Sequence, residues 1–267
     1  MPDIIVTGTF DNLRSPQVRF LEEASRLGDV HVLLYSDALA QALDGCVPKF
    51  PQAERQYFVE SLRYVTGVTP VDGDNPAAVT AQVRALQPDL WAQDERQSGV
   101  WTIPSNIAVK VISDASLSGF PALPESEPEP GRKKVLVSGC YDWLHSGHVR
   151  FFEEASGLGD LYVVVGNDAN VTFLKGAGHP LLSQDERRYM VQAVRFVHRA
   201  LVSTGWDWLD YAPQVEELHP DLFVVNDDGD RPEKRELCQA YGVEYMVLKR
   251  APRAGLPRRE STELRGF

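Results

Sequence analysis

The stretch "GCYDWLHSGHVRFFEEASGLGD", residues 139–160, decides how this 267-residue chain is read. A near-copy, "GTFDNLRSPQVRFLEEASRLGD", occupies residues 8–29 and carries the same residue at the greater part of its positions. In the later copy Val149, Phe152 and Ala155 recur three apart, the spacing of one helix face, and Gly159 stands where a helix stops. The flanking runs "KVLVSG" (134–139) and "LYVVVG" (161–166) are short, apolar and β-branched, as buried strands are. Continuous apolar strands alternating with helices predict a parallel sheet covered on both faces.

The duplication runs well beyond this segment. Subtracting residue numbers gives 131 for Gly8 and Gly139, for Asp11 and Asp142, and for Asp37 and Asp168. Further along, "PQAERQYFVESLRYV" (51–65) answers "SQDERRYMVQAVRFV" (183–197), and "LQPDLWAQDE" (86–95) answers "LHPDLFVVNDD" (218–228). An internal repeat of this size sets the architecture. The expectation is an α/β protein of two tandem Rossmann-like, doubly wound parallel-sheet domains, residues 1–117 and 132–267. Between them "SGFPALPESEPEPG" (118–131) reads as a linker, because its Pro and Glu content buries too little apolar surface to fold alone.

Composition bounds the function. With 43% hydrophobic and 24% charged residues the chain reads as soluble and globular. Its net charge of −11 argues against a general nucleic-acid surface, since affinity for a phosphate backbone comes from Lys and Arg. The run "LKRAPRAGLPRRESTELR" (248–265) is locally basic and suits either an anionic ligand or a solvated tail. Cys46, Cys140 and Cys238 are far apart with no C-x-x-C pair, which argues against a disulfide framework and fits a reducing compartment. No basic leader opens the sequence and no run approaches the ~18 apolar residues of a membrane span, so a cytoplasmic protein without a membrane partner is expected.

In doubly wound sheets ligands bind beyond the carboxyl ends of the strands, and "SGCYDWLHSGH" (138–148) lies at such a strand-to-helix corner. A bare Gly147 at the helix start would let a phosphate approach backbone N–H groups and the positive end of the helix dipole. His145 and His148, three apart, would share a face there. Imidazole N–H groups aimed at a phosphate stabilise the charge that builds in phosphoryl and nucleotidyl transfer. Two other readings of these residues exist: satisfaction of polar groups at the helix start, and a structural zinc on Cys140, His145 and His148, which lacks a spaced fourth ligand. Trp143, Trp206 and Trp208 read as packing residues, and neither His179 nor His198 is given a role.

The pattern G-x-Y-D-x-x-H-x-G-H after a strand resembles the signature of the HxGH nucleotidyltransferases, which include cytidylyltransferases and adenylyltransferases. "FLKGAGHPLLSQDERRYMV" (173–191) resembles that family's lysine loop and helix-borne arginine, on Lys175 and Arg187. "VVNDDGD" (224–230) is similar to its "GDD" strand end, on Asp227 and Asp228, and "RREST" (258–262) to its terminal R-x-x-x-S-T element. The resemblance implies transfer of CMP or AMP from a nucleoside triphosphate to a phosphorylated alcohol, with release of pyrophosphate and no covalent enzyme intermediate. It implies His145, His148 and Lys175 as the catalytic set. Nucleotide binding would fall to Gly139, Cys140, Tyr141, Gly147, Arg187, Asp227, Asp228, Ser261, Thr262 and one or both of Arg258 and Arg259. Asp142 would help hold Mg²⁺ and, with Asp168, line the acceptor pocket. Two departures stand out. The family's usual "R-T-x-G-I-S-T" is here "P-R-R-E-S-T", and Gly229 replaces the tryptophan that often follows "GDD" in cytidylyltransferases. A non-catalytic nucleotide sensor on the same fold is the alternative. A tRNA-synthetase-like ligase fits less well, because no second lysine-serine loop is present.

At matched positions of the first copy His145 becomes Arg14, Gly147 becomes Pro16, His148 becomes Gln17 and Lys175 becomes Asp44. Proline suits a first helical turn, so the fold should persist where the chemistry does not. The first half is therefore expected to be a silent duplicate. Since the family pairs such domains, it is also expected to act as a built-in partner in an intramolecular pseudo-dimer, with a further homo-oligomer open.

Overall fold

The computed structural model describes residues 1–71, 73–99, 101–123 and 128–259. The chain divides into two compact units, Met1–Gly119 and Phe120–Phe267. The division falls inside the stretch read as a linker. Phe120 belongs to the second unit, where its ring lies 6.0 Å from that of Tyr189 and its carbonyl accepts a 3.2 Å hydrogen bond from Arg188. Near the other end of that stretch the Glu129 N–H donates to Asp160 Oδ2 at 2.9 Å.

The first unit runs β1 (Asp3–Gly8), α1 (Ser15–Ser25), β2 (Asp29–Leu34), α2 (Asp37–Asp44), α3 (Gln52–Glu60), β3 (Gly67–Pro70), α4 (Pro76–Leu86), β4 (Leu90–Asp94) and β5 (Ala108–Ile112). Its sheet has the order β3-β2-β1-β4-β5, with every pairing parallel. The second unit runs β6 (Lys134–Gly139), α5 (Ser146–Ser156), β7 (Asp160–Val165), α6 (Asp168–Lys175), α7 (Gln184–Gln192), β8 (Arg199–Val202), α8 (Ala212–Leu218), β9 (Leu222–Asn226), α9 (Pro232–Tyr241) and β10 (Glu244–Leu248). Read from its other edge, its sheet is β8-β7-β6-β9-β10, again wholly parallel and in the same order. Each unit is thus a doubly wound α/β domain, as the alternation of apolar runs predicts.

Burial follows from that topology. Every residue of β7 is buried, as a strand with helices on both faces must be. On one face Leu136, Tyr162, Val164 and Phe223 pack with Tyr211 and Val215 of the α8 region; in the first unit Ile5, Leu33, Trp91 and Trp101 make the equivalent layer. The order places a switch point between β1 and β4, and between β6 and β9. At these places connections depart to opposite sides and a crevice opens at the carboxyl ends.

Gly159 marks the end of α5, but its reason for being glycine lies elsewhere. A Cβ there would sit 2.1 Å from the Lys133 carbonyl oxygen, which also accepts the Asp160 N–H at 2.8 Å. Gly28 stands in the same relation to the Pro2 carbonyl, again at 2.1 Å. Backbone cannot yield as a flexible side chain can, so Gly159→Ala is expected to destabilise the second unit by on the order of 3 kcal/mol. Urea denaturation at pH 7 would show this as a lower midpoint at unchanged slope.

Candidate active site

The corner after β6 is built by a backbone turn that folds an aromatic ring back over a glycine. Tyr141 has φ +53, an uncommon conformation for a bulky residue, and its ring comes within 2.8 Å of where a Gly139 Cβ would be. Phe10, at φ +49, lies over Gly8 in the same way. His145 then caps α5. Its Nδ1 accepts the Gly147 N–H at 3.1 Å, so the ring proton resides on Nε2. A Cβ on Gly147 would lie 2.9 Å from the His145 ring. Gly147 is therefore bare to admit that imidazole, and its N–H is occupied by the cap; the expectation of a free N–H for phosphate is corrected here.

His148 follows one turn on, its ring centroid 4.0 Å from that of His145, with Tyr141 edge-on at 5.3 Å. Its Nδ1 is buried and hydrogen-bonds to no protein group. Both imidazoles are held neutral. Burial, then the charges of Arg250 and Arg259, push His145 down to about 3; burial, then His145, Arg250 and Lys175, push His148 well below the usual histidine range.

His148 opens on a cleft of about 340 Å³ at the carboxyl ends of β6 and β9. The structure brings Gly139, Cys140, Tyr141, Gly147, Lys175 and Asp228 of the expected set to its wall, along with Asp142. It also places there Asn226 and Lys234, which the sequence reading left out, and Arg250 of the basic run 248–265. Arg250 forms an ion pair with Asp228, and its other nitrogen donates to the Arg259 carbonyl at 3.0 Å. Arg250 and Asp228 both lie just beyond the paired strand ends, where Leu248 is in register with Asn226 across the parallel β10–β9 pair. Arg258 and Arg259 line an adjoining recess with Gly147, Asn226 and Arg250. Asp227 donates no side-chain group to the cleft; its Oδ1 accepts the Asp228 N–H at 3.0 Å. Ser261 and Thr262 lie outside the described residues.

Three residues of the expected set are engaged by other groups of the protein. Arg187 is wholly buried and does not face the cleft. Its Nε donates to the Leu182 carbonyl at 3.0 Å, one Nη to the Cys140 carbonyl at 2.6 Å, and the other to the Gly166 carbonyl and Asp168 Oδ1, each at 2.7 Å. With four of its five N–H donors so committed, it braces the ends of β6 and β7 against α7. Asp168 is the counter-ion of that brace and does not line the cleft. Asp142 is spent likewise: Oδ1 accepts the N–H groups of Leu181 and Leu182 at 2.7 and 3.1 Å, and Oδ2 lies 3.2 Å from His179 Nδ1. It latches the 176–182 loop. Among the described residues no group of three or more His, Cys, Asp or Glu is placed to hold a metal ion. Trp143 is buried as expected, whereas Trp206 and Trp208 stand about half exposed.

The first unit repeats the brace and the latch but not the mouth. Arg55 donates to the carbonyls of Phe50, Thr9 and Tyr35 and to Asp37 Oδ1, and Asp11 accepts the N–H groups of Lys49 and Phe50. A cleft of about 340 Å³ persists there too. However, Gln17 Oε1 now accepts the Arg14 N–H at 3.0 Å, and Asp44, in place of the lysine, accepts the Thr9 hydroxyl at 2.8 Å.

A family model described as cytidylyltransferase-like matches residues 136–265. FAD synthase of Aciduliprofundum boonei is 37% identical over 119 residues, 43% of this chain and 76% of that protein. The bifunctional protein HldE of Pseudomonas paraeruginosa is 35% identical over 127 residues, 44% of this chain but only 25% of that protein's length. Among solved structures, the lipopolysaccharide core biosynthesis protein of Thermoplasma volcanium aligns over 49% of this chain and all of its own, at 23% identity and a TM-score of 0.38. No helix among the described residues is long and apolar enough to cross a membrane.

Two outcomes follow from this geometry. Arg187→Met leaves three carbonyls and a carboxylate without their donor and is expected to cost about 3–5 kcal/mol in the second unit, read by urea denaturation. Both imidazoles are depressed in the folded state. As pH falls below about 6.5 the unfolded chain takes up protons that the folded one refuses, so stability is lost progressively on acidification. The expected loss between pH 7 and 5 is about 2 kcal/mol for His145, with His148 acting in the same direction. His145→Asn, which keeps a capping side chain, should make the denaturation midpoint measurably less pH-dependent across that interval.

Proposed function

The chain belongs to the cytidylyltransferase-like family and is a nucleotidyltransferase, and from that premise we propose that its active site is the β6–α5 corner of the second unit. There it transfers CMP or AMP from a nucleoside triphosphate to a phosphorylated alcohol. An oxygen of the acceptor phosphate attacks the α-phosphorus, the bond to the bridging oxygen of the β-phosphate breaks, and pyrophosphate leaves with that electron pair. The acceptor phosphate is already anionic, so no general base is required.

The observation that carries this reading is the close pair of neutral imidazoles, of which His148 lines a cleft with Lys175 and Arg250 at its wall. His145 accepts the Gly147 N–H on Nδ1, which leaves its ring proton on Nε2 without any protonation at neutral pH. His148 lines the cleft itself, and Lys175 and Arg250 supply positive charge at its wall. Such preorganised donors act where charge builds on phosphorus, in a site shielded from water. Arg258 or Arg259, with Ser261 and Thr262, would hold the outer phosphates. The described residues offer no metal cage of their own, so the Mg²⁺ implied by the resemblance would arrive on the triphosphate, which is how this ion is usually bound.

The first unit, with Gln17 and Asp44 in place of the imidazole and the ammonium, is proposed to be catalytically silent. Its cleft offers carboxylates where a triphosphate needs cations. The test is pyrophosphate release from ATP and CTP against a panel of phosphorylated acceptors. His148→Ala is expected to lower kcat by roughly 10²–10³-fold, with the far-UV circular dichroism unchanged. A near-normal rate in that variant would reject the assignment.

A further inference from the structure

The cleft of the first unit keeps a volume of about 340 Å³, and the groups on its wall are replaced rather than simply lost. At matched positions Asp44 stands for Lys175, Asp94 for Asn226 and Gln97 for Gly229. Tyr35 takes the place of Gly166, so a phenol enters the wall where the other copy has no side chain.

Two carboxylates alone describe no more than a solvated surface. Here they accompany buried polar atoms that the protein leaves unsatisfied. Thr7 and Tyr35 are 1% and 4% exposed and both line the cleft; their hydroxyls meet no described protein group other than each other. Gln97 lines it too. Its Nε2 donates to the Thr7 carbonyl at 2.9 Å, which fixes the amide, and its Oε1 is buried with no donor. Buried polar atoms are nearly always paired, so a cluster of orphans at one cleft wall points to a ligand that supplies the partners. Burial raises the Tyr35 hydroxyl above the usual phenol pKa, Thr7 opposes this, and the charges of Asp44 and Asp94 add to it, so both carboxylates act on the same hydroxyl.

The needed partner is a donor with positive charge. Asp44 Oδ2 accepts the Thr9 hydroxyl and Asp94 Oδ1 the Gln97 N–H, each at 2.8 Å; Asp44 Oδ1 and Asp94 Oδ2 accept no hydrogen bond among the described residues. Arg96 lines the cleft from an exposed position and forms an ion pair with neither carboxylate. Asp11 is already spent on the N–H groups of Lys49 and Phe50. The rest of the wall includes Phe10 and Phe20, and aromatic rings beside carboxylates suit an alkylammonium better than a hydrated metal ion. A primary ammonium carries three N–H donors and no acceptor, which matches what these oxygens lack.

We propose that the first unit's cleft is a binding site for a small primary amine in its ammonium form. Its N–H groups are shared among Asp44, Asp94, the Gln97 amide oxygen and the Tyr35 hydroxyl, and its carbon chain lies against Phe10 and Phe20. The silent copy is then a ligand-binding domain in its own right, and the site stands independently of the transfer chemistry assigned to the second unit.

The probe is 4-aminobutan-1-ol, titrated calorimetrically into the full-length protein at pH 7 and constant ionic strength. Its uncharged counterpart 1,4-butanediol and magnesium chloride are titrated alongside. The amine is expected to bind one per chain, and roughly tenfold or more tightly than either the diol or magnesium. Asp94→Asn, which keeps Oδ1 for the Gln97 N–H, should weaken the amine by roughly tenfold or more, as should Asp44→Asn. Equal affinity for amine and diol would overturn the proposal, and so would an affinity unchanged in both variants. Magnesium that binds as tightly and displaces the amine would identify a metal site instead, and would overturn it as well. The ligand comparison is made on the unaltered protein, so it decides the matter even where a variant folds poorly.

Discussion

A guanidinium with no access to water must find its hydrogen bonds inside the protein, and the corner of each unit is organised around meeting that demand. Arg187 reaches the carbonyls just beyond β6 and β7, the carbonyl before α7, and the carboxylate that opens α6. Four chain segments are thereby fixed relative to a single planar group. The planarity matters, because a lysine offers no fork of fixed geometry to hold three carbonyls at once. Paired buried charge is seldom a large net source of stability. Its value here is directional: the brace sets where β6 ends and where the turn to His145 begins.

Comparing the two corners separates this scaffold from the chemistry laid over it. Arg55 and Asp11 make the same bonds as Arg187 and Asp142, and both turns fold an aromatic ring at positive φ over a glycine. What differs faces the cleft. An imidazole that stacks becomes an amide that caps, and an ammonium becomes a carboxylate bonded to a threonine. Groups behind the cleft are kept and groups in front of it are exchanged, which is the pattern expected if folding requires the first set and ligand chemistry only the second.

The same division explains what could be read from the sequence. The repeat, the strands and the strand-to-helix corner are legible because apolar periodicity and glycine placement report backbone geometry directly. So is the pairing of His145 with His148, which a one-turn spacing makes neighbours. The resemblance assigns Arg187 to the nucleotide, and in the structure its guanidinium is buried against backbone carbonyls. The signal against that lies in its position: Arg187, Val191 and Val194 fall on one helical stripe, as do Arg55, Val59 and Leu62, and every one of the six is buried. The basic run 248–265 points to an anionic ligand, but the meeting of its Arg250 with Asp228 joins the ends of two different strands, β10 and β9, and strand pairing is not encoded in spacing along one chain. The exposure of Trp206 and Trp208 runs against their hydrophobicity, and it depends on two hydrogen bonds from Asn170 that no local pattern announces.

Electrostatics gives the two histidines a state that depends on what fills the cleft. Burial and the neighbouring cations Arg250, Arg259 and Lys175 all act to keep the rings neutral. A triphosphate reverses the second influence: its negative charge offsets those cations and favours a proton on the imidazoles. Triphosphate bound as proposed would therefore raise both pKa values from their depressed starting point, so the cations that would hold the substrate are the ones that keep the rings neutral before it arrives.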